Sequence, residues 1–272
     1  MFKREHHQKI SEVLQRLDSQ ILRDHECYFG GGTAIALMNG EYRESVDIDF
    51  LVSDIHKYRS LRELLTGSNG IAPITLSGRE LVLAREIRAD QYGIRTIIRA
   101  GDAHIKFEII SEGRIVFEKP KSKDQIHGIA TLSRLDLIAS KLLANVDRWS
   151  DDSVFSRDAI DLAMMRISKK ELHQAVEKSR EAYGDSILAS LHKSIDRLLT
   201  KEGLLERCMA VMKIFTPKAL LWQNLEDLKL RADKQVGVGL AHIELISDDK
   251  VNEFLDKDLP EINHVLDHLK GK

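Results

Sequence analysis

Cysteine is nearly missing from this 272-residue chain, and the two present, Cys27 and Cys208, stand far apart with neither a CxxC spacing nor a histidine partner. That excludes a disulfide framework and a thiolate metal knuckle, and predicts reduced packing thiols in a reducing compartment. No long apolar run follows the charged start Met1–His7, so neither a signal peptide nor a membrane span is predicted and the default location is the cytoplasm. An excess of one charge is also lacking: 41 basic against 43 acidic side chains leave a net charge of -2. No whole-molecule field attracts nucleic acid, and an RNA partner would need a local basic patch. Internal repeats and low-complexity tracts are absent too, while the length allows one large or two modest domains, each with its own core.

What is present divides unevenly. Ile10, Val13, Leu14, Leu17 and Ile21 recur at helical spacing and predict one amphipathic helix ending near Asp24. Cys27–Phe29 reads as a short strand running into Gly30-Gly31-Gly32, then a helix over Thr33–Asn39 closed by Gly40. Val46–Val52 reads as a strand, Tyr58, Leu61, Leu64 and Leu65 as a surface helix, and Gly67–Gly70 as a loop, after which the pattern is ambiguous. Ile94–Arg99 and Ala103–Ile110, joined by Ala100-Gly101-Asp102, predict an antiparallel hairpin with Lys106 and Glu108 on one face and Ile105, Phe107 and Ile109 on the other. From Leu132 apolar residues recur every three or four positions almost to the end. The expectation is an α/β domain over 1–120 and an all-α domain over 121–272, with a polar linker around Pro120.

A strand ending in glycines before a helix lets backbone N–H groups approach an anion, because no Cβ intrudes. Alone, Gly30–Thr33 is an ordinary tight turn: it lacks the Gly-Lys-Ser/Thr ending of a P-loop and the spacing of a dinucleotide fingerprint. Ser45-x-Asp47-x-Asp49 is more informative, since a period of two places three oxygen-bearing side chains on one strand face. Two adjacent carboxylates repel unless a cation joins them, and Mg²⁺, which shares its oxygen ligands with substrate phosphates, suits a pair facing a phosphate turn. Glu108 is the candidate third carboxylate for a two-metal centre and proton acceptor, and Lys106 on the same face would offset phosphate charge.

Gly31-Gly32-Thr33-Ala34-Ile35-Ala36-Leu37, then Arg43, Ser45 and Asp47-Ile48-Asp49-Phe50, resembles the signature of the AbiEii-type toxin family of polymerase-beta-like nucleotidyltransferases. The resemblance continues through Lys106-Phe107-Glu108 and Asp136–Lys141 to Arg157-Asp158-Ala159-Ile160-Asp161-Leu162. It implies a nucleotidyltransferase fold, a mixed sheet with flanking helices, followed by the helical domain. It also implies transfer of a nucleoside monophosphate from a nucleoside triphosphate, with an RNA such as the tRNA 3′ end as acceptor and a cognate antitoxin as partner. Carried over by position, Gly31, Gly32, Thr33 and Ser45 would hold phosphates, Asp47, Asp49 and Glu108 would bind two Mg²⁺ ions, and Lys141 would reach the nucleotide supported by Asp158 or Asp161.

Plainer readings stand beside these. Ser133 and Asp136 resemble a capping arrangement, and Arg157 and Asp161, four apart, suit a surface pair. Lys141 interrupts an apolar run and either snorkels outward or points into a cleft, the cleft being favoured. Arg85, Arg88, Arg95 and Arg99 interleave with Glu86 and Asp90 and read as a solvated face; His6 and His7 read as surface residues. Nucleotidylation of a protein hydroxyl or a small molecule, and a non-catalytic nucleotide-binding module, are the alternative functions.

Overall fold

The computed structural model describes residues 2–234, so the helical expectation for 235–272 lies outside the described residues. The predicted first helix is two: α1 (Glu5–Leu14) and α2 (Ser19–Asp24). Asp18 divides them, its carboxylate accepting the N–H groups of Gln20 and Ile21 while its own N–H donates to the Ile74 carbonyl at 2.9 Å. An aspartate that caps a new helix from outside ends the previous one. β1 (Tyr28–Phe29), α3 (Gly31–Met38), β2 (Ile48–Val52) and α4 (Ile55–Thr66) follow, with α3 starting two residues earlier than its apolar pattern indicates.

The ambiguous stretch contains a strand, β3 (Val82–Ala89), which pairs with β4 (Gly93–Ala100) through an irregular register. β4 and β5 (Ala103–Ser111) form the predicted antiparallel hairpin, turning at Gly101 with φ +62. The mixed sheet runs β1-β2-β5-β4-β3, and only β2 and β5 are parallel, with Asp49 opposite Glu108. On one face Ile94, Ile98, Ile105, Phe107 and Ile109 are buried beneath the helices; Phe29, Phe50 and Phe107 stack in sequence at 5.6 Å. The other face carries Asp49, Arg95, Arg99, Lys106 and Glu108, with Leu51, Ile97 and Ile110 among them.

A small hairpin, β6 (Gln125–Ile126) and β7 (Ile129–Ala130), leads into the helical part: α5 (Arg134–Arg148), α6 (Arg157–Met164), α7 (Lys169–Tyr183), α8 (Ser186–Thr200), α9 (Leu204–Val211) and a helical stretch over 218–234. Ser133 caps α5 through the Asp136 N–H, so Asp136 starts a helix as its spacing suggested. Helix α5 is central, packing on α6, α7 and α8 and, with α6, against α3. The Leu132 N–H donates to the Phe29 carbonyl at 2.9 Å, and buried apolar residues from Ile10 to Ala232 form one cluster. This seam sets helices α5 and α6 over the polar end of the sheet.

Candidate active site

Helix α3 begins against the carboxylates. The Gly30 N–H donates to the Asp49 carbonyl at 2.8 Å, and Gly31 turns the chain with φ +65. A Cβ on Gly31 would lie 2.3 Å from Asp49 Oδ2, and one on Gly32 would lie 2.1 Å from Arg43 Nη2. Gly31 therefore admits only glycine, a side chain at Gly32 would have to push the Arg43 guanidinium aside, and the first N–H groups of α3 stay open beside the acidic pair.

β2 starts at Ile48, so Asp47 immediately precedes the strand, yet Asp47, Asp49 and Glu108 line one cleft of about 340 Å³. Glu108 is held by Lys106 Nζ at 2.6 Å and Arg95 Nε at 3.1 Å. Asp49 is different. Burial, then the negative charges of Asp47 and Glu108, push its carboxyl from 3.8 up to about 6, outweighing the pull of Lys141 and Lys106. Among the described residues neither Asp47 nor Asp49 has a cationic partner, since the nearby lysines are engaged elsewhere. Among the same residues no three His, Cys, Asp or Glu side chains converge closely enough to enclose a metal ion by themselves. The donor set thus fits a cation that takes two or three carboxylate oxygens here and fills its remaining positions from phosphate and water, the habit of Mg²⁺.

The opposite wall is cationic and comes largely from the helical part. Lys141, 5 % exposed, faces the cleft and bridges Asp158 Oδ1 at 2.9 Å and Asp161 Oδ2 at 2.7 Å. Asp161 also binds Arg43 through both oxygens, at 2.7 and 3.0 Å, and accepts the Tyr42 hydroxyl. Asp158 takes Arg148 in the same forked manner, at 2.6 and 2.9 Å. Burial alone would raise these carboxyls, but Lys141 and Arg148 hold Asp158 far below the usual range, and Arg43 and Lys141 lower Asp161. Neither aspartate lines the cleft; both aim the cations that do. The surface pair of Arg157 with Asp161 does not form, because Asp161 is fully buried on the Arg43 side.

Thr33 is also placed away from the cleft. It is buried, and its hydroxyl reaches Ser45 Oγ at 2.7 Å and the Asp47 carbonyl, tying α3 to the aspartate loop. Ser45 lines the cleft as expected. The surface reading fails for His7, though not for the partly exposed His6: His7 is fully buried, its Nε2 accepting the Ser45 N–H at 3.1 Å and its Nδ1 donating to Glu41 at 2.8 Å. Burial lowers its basicity despite Glu41, and the Ser45 N–H requires an unprotonated Nε2, so the ring is neutral. His6 Nε2 meets the Val46 carbonyl at 3.1 Å, which makes α1 a splint for the loop over residues 45–47. The signal was in the sequence: His7 precedes Ile10 by three and Leu14 by seven, on the buried helix face.

Carboxylates offered by neighbouring parallel strands to a glycine-opened helix, under a wall of buried cations, constitute the equipment of a nucleotidyltransferase. Residues 12–259 match the family described as nucleotidyl transferase AbiEii toxin, type IV toxin–antitoxin system, and the chain belongs to that family. Among curated proteins none matches the sequence. JHP933 from Helicobacter pylori is 18 % identical with a TM-score of 0.50, covering 94 % of this chain and 100 % of its own, a likeness of fold. A candidate nucleotidyltransferase from H. pylori is 19 % identical with a TM-score of 0.48, over 84 % of this chain and 92 % of that one. Among the described residues no helix is long and apolar enough to cross a membrane.

Proposed function

We propose that this nucleotidyltransferase moves a nucleoside monophosphate from a nucleoside triphosphate to the 3′ hydroxyl of an RNA, a tRNA end, in a Mg²⁺-dependent reaction. The observation that carries this reading is the register of Asp49 with Glu108, with Asp47 beside them and the open N-terminus of α3 in contact. Asp47 and Asp49, with Glu108 completing the set, would hold two Mg²⁺ ions, whose chemistry when bound is Lewis-acid polarisation of phosphate oxygens. Gly31, Gly32 and Ser45 receive the phosphates, and Lys106, Lys141, Arg43 and Arg148 offset their charge. The acceptor oxygen bonds to the α-phosphorus, the bond from that phosphorus to the α–β bridging oxygen breaks, pyrophosphate leaves, and the hydroxyl proton passes to Glu108.

In this scheme the domain over 1–120 contributes the carboxylates and the phosphate turn, and the helical domain that begins at 121 closes the nucleotide cleft through α5 and α6. A cytoplasmic setting, where tRNA is present, and restraint by a cognate antitoxin belong to the same reading. The test is incubation with Mg²⁺, total RNA and each α-labelled nucleoside triphosphate in turn, beside an Asp47→Ala/Asp49→Ala variant. Label on tRNA-sized RNA that vanishes in the variant supports the proposal. Label on protein instead moves the acceptor to a protein hydroxyl, and no label with no pyrophosphate release overturns transfer altogether.

A further inference from the structure

The sheet's register places the catalytic carboxylates at one end of a basic row. Asp49 pairs with Glu108, Glu108 with Arg95, and Arg95 with Arg88, so these four side chains share a face across β2, β5, β4 and β3. Two residues along, Lys106 pairs with Ile97 and Ile97 with Arg85; two further, His104 pairs with Arg99. The register irregularity in β3 matters here. Between Leu83 and Arg88 the strand shifts twice against β4, which brings both Arg85 and Arg88 to the face of Arg95 while Ile87 packs against the core. The simple alternation of Arg85, Glu86 and Arg88 suggested a mixed, solvated surface.

The basic charges on this face are only partly spent internally. Asp90 and Glu108 are met by Arg95, and Glu108 also by Lys106. Arg85, Arg88 and Arg99 are exposed, and among the described residues none of their guanidinium groups has a hydrogen-bond or ion-pair partner. With strands about 4.8 Å apart, Arg88 stands roughly 14 Å from Asp49 along the row. The protein's net charge of -2 gives no general attraction for polyanions, so this concentration is local. Unpaired guanidinium forks on an open sheet, joined to the reacting carboxylates through the paired Arg95 and Lys106, match the spaced phosphates of a strand whose end must enter the cleft.

We infer that the open face of β3 and β4 is the docking track for the acceptor RNA, with Arg85, Arg88 and Arg99 binding its backbone phosphates upstream of the reacting 3′ end. The inference rests on the RNA-acceptor reading of the cleft, but its test needs no turnover. Equilibrium binding of fluorescently labelled bulk tRNA to the whole protein is measured across a salt series, for wild type, Arg85→Ala/Arg88→Ala/Arg99→Ala, and Arg59→Ala on the exposed side of α4. Wild type binds with a salt slope that the triple variant lowers by about 2, at ~0.7 per lost contact, with weaker binding at every salt concentration. Nucleotide binding stays unchanged, and Arg59→Ala behaves as wild type.

Equal slopes in wild type and triple variant overturn the track even if label still reaches RNA, which would leave the proposed reaction standing. A reduced slope in a protein that labels no RNA keeps the track and removes the reaction. Absence of RNA binding by the wild type overturns the track outright, as does a triple variant that instead loses affinity for an acidic protein partner while holding RNA normally.

Discussion

Replacing Asp49 by Asn is expected to stabilise the metal-free protein while abolishing transfer. The carboxyl is raised from 3.8 to about 6, first by burial and then by Asp47 and Glu108. Between those values the folded protein binds more protons than the unfolded chain, so wild-type stability falls as pH rises through the window and levels off above about pH 7. A rise of that size corresponds to roughly 3 kcal/mol, and about 2 kcal/mol remains once solvent in the cleft is allowed for. Asparagine has nearly the same shape and no charge to strand. Urea unfolding followed by fluorescence of Trp149 and Trp222 in EDTA should therefore show Asp49→Asn more stable by about 2 kcal/mol at pH 7.5. The advantage should shrink below about 1 kcal/mol at pH 4.5. An unchanged stability at pH 7.5, or an equal gain at both pH values, would refute the account of why this carboxylate is high.

Lys141→Met removes the cation between two buried carboxylates; because Arg148 and Arg43 remain, the expected loss is about 3 kcal/mol, read as a lower urea midpoint, and a loss under about 1 kcal/mol would contradict the bridge. Gly31→Ala places a methyl on Asp49 Oδ2 at a positive φ, so labelled-nucleotide transfer should fall at least about tenfold while circular dichroism shows a folded protein; normal activity would refute the close approach. His7→Gln keeps an acceptor within reach of the Ser45 N–H and should retain activity within a few-fold. His7→Asn is too short for that bond, and the KM for nucleotide should rise about tenfold; equal behaviour of the two variants would remove the splint role.

Local patterns made much of this legible. The alternation of Ile105, Phe107 and Ile109 against Lys106 and Glu108 gave the β4–β5 hairpin and the face of Glu108, and the glycine run marked α3 although the helix begins within it, at Gly31 and not Thr33. β3 stayed hidden because its shifted register breaks the period of two and most of its side chains are exposed. Asp158 and Asp161 were found as motif members with Lys141 as their partner, but their arginines were not: a helix shows its i,i+4 neighbours in the sequence, whereas Arg43 lies 118 positions away from Asp161. The parallel pairing that sets Asp49 against Glu108 also joins residues far apart in sequence. Long-range contacts of this kind leave no periodic trace.

The bridge between Arg43 and Asp161 also has a consequence for timing. A ribosome adding about 5–20 residues per second needs on the order of ten seconds to pass from the aspartate loop to the residue that fixes its arginine. Closing a contact over so long a loop adds an entropic delay of its own. Until α5 and α6 have emerged and docked, Lys141 and Arg148 are missing from the cleft and Arg43 has no buried partner. The nascent chain thus carries its acidic pair without the cationic wall. In this member of a toxin family the cleft is therefore completed only after more than half of the chain has been made.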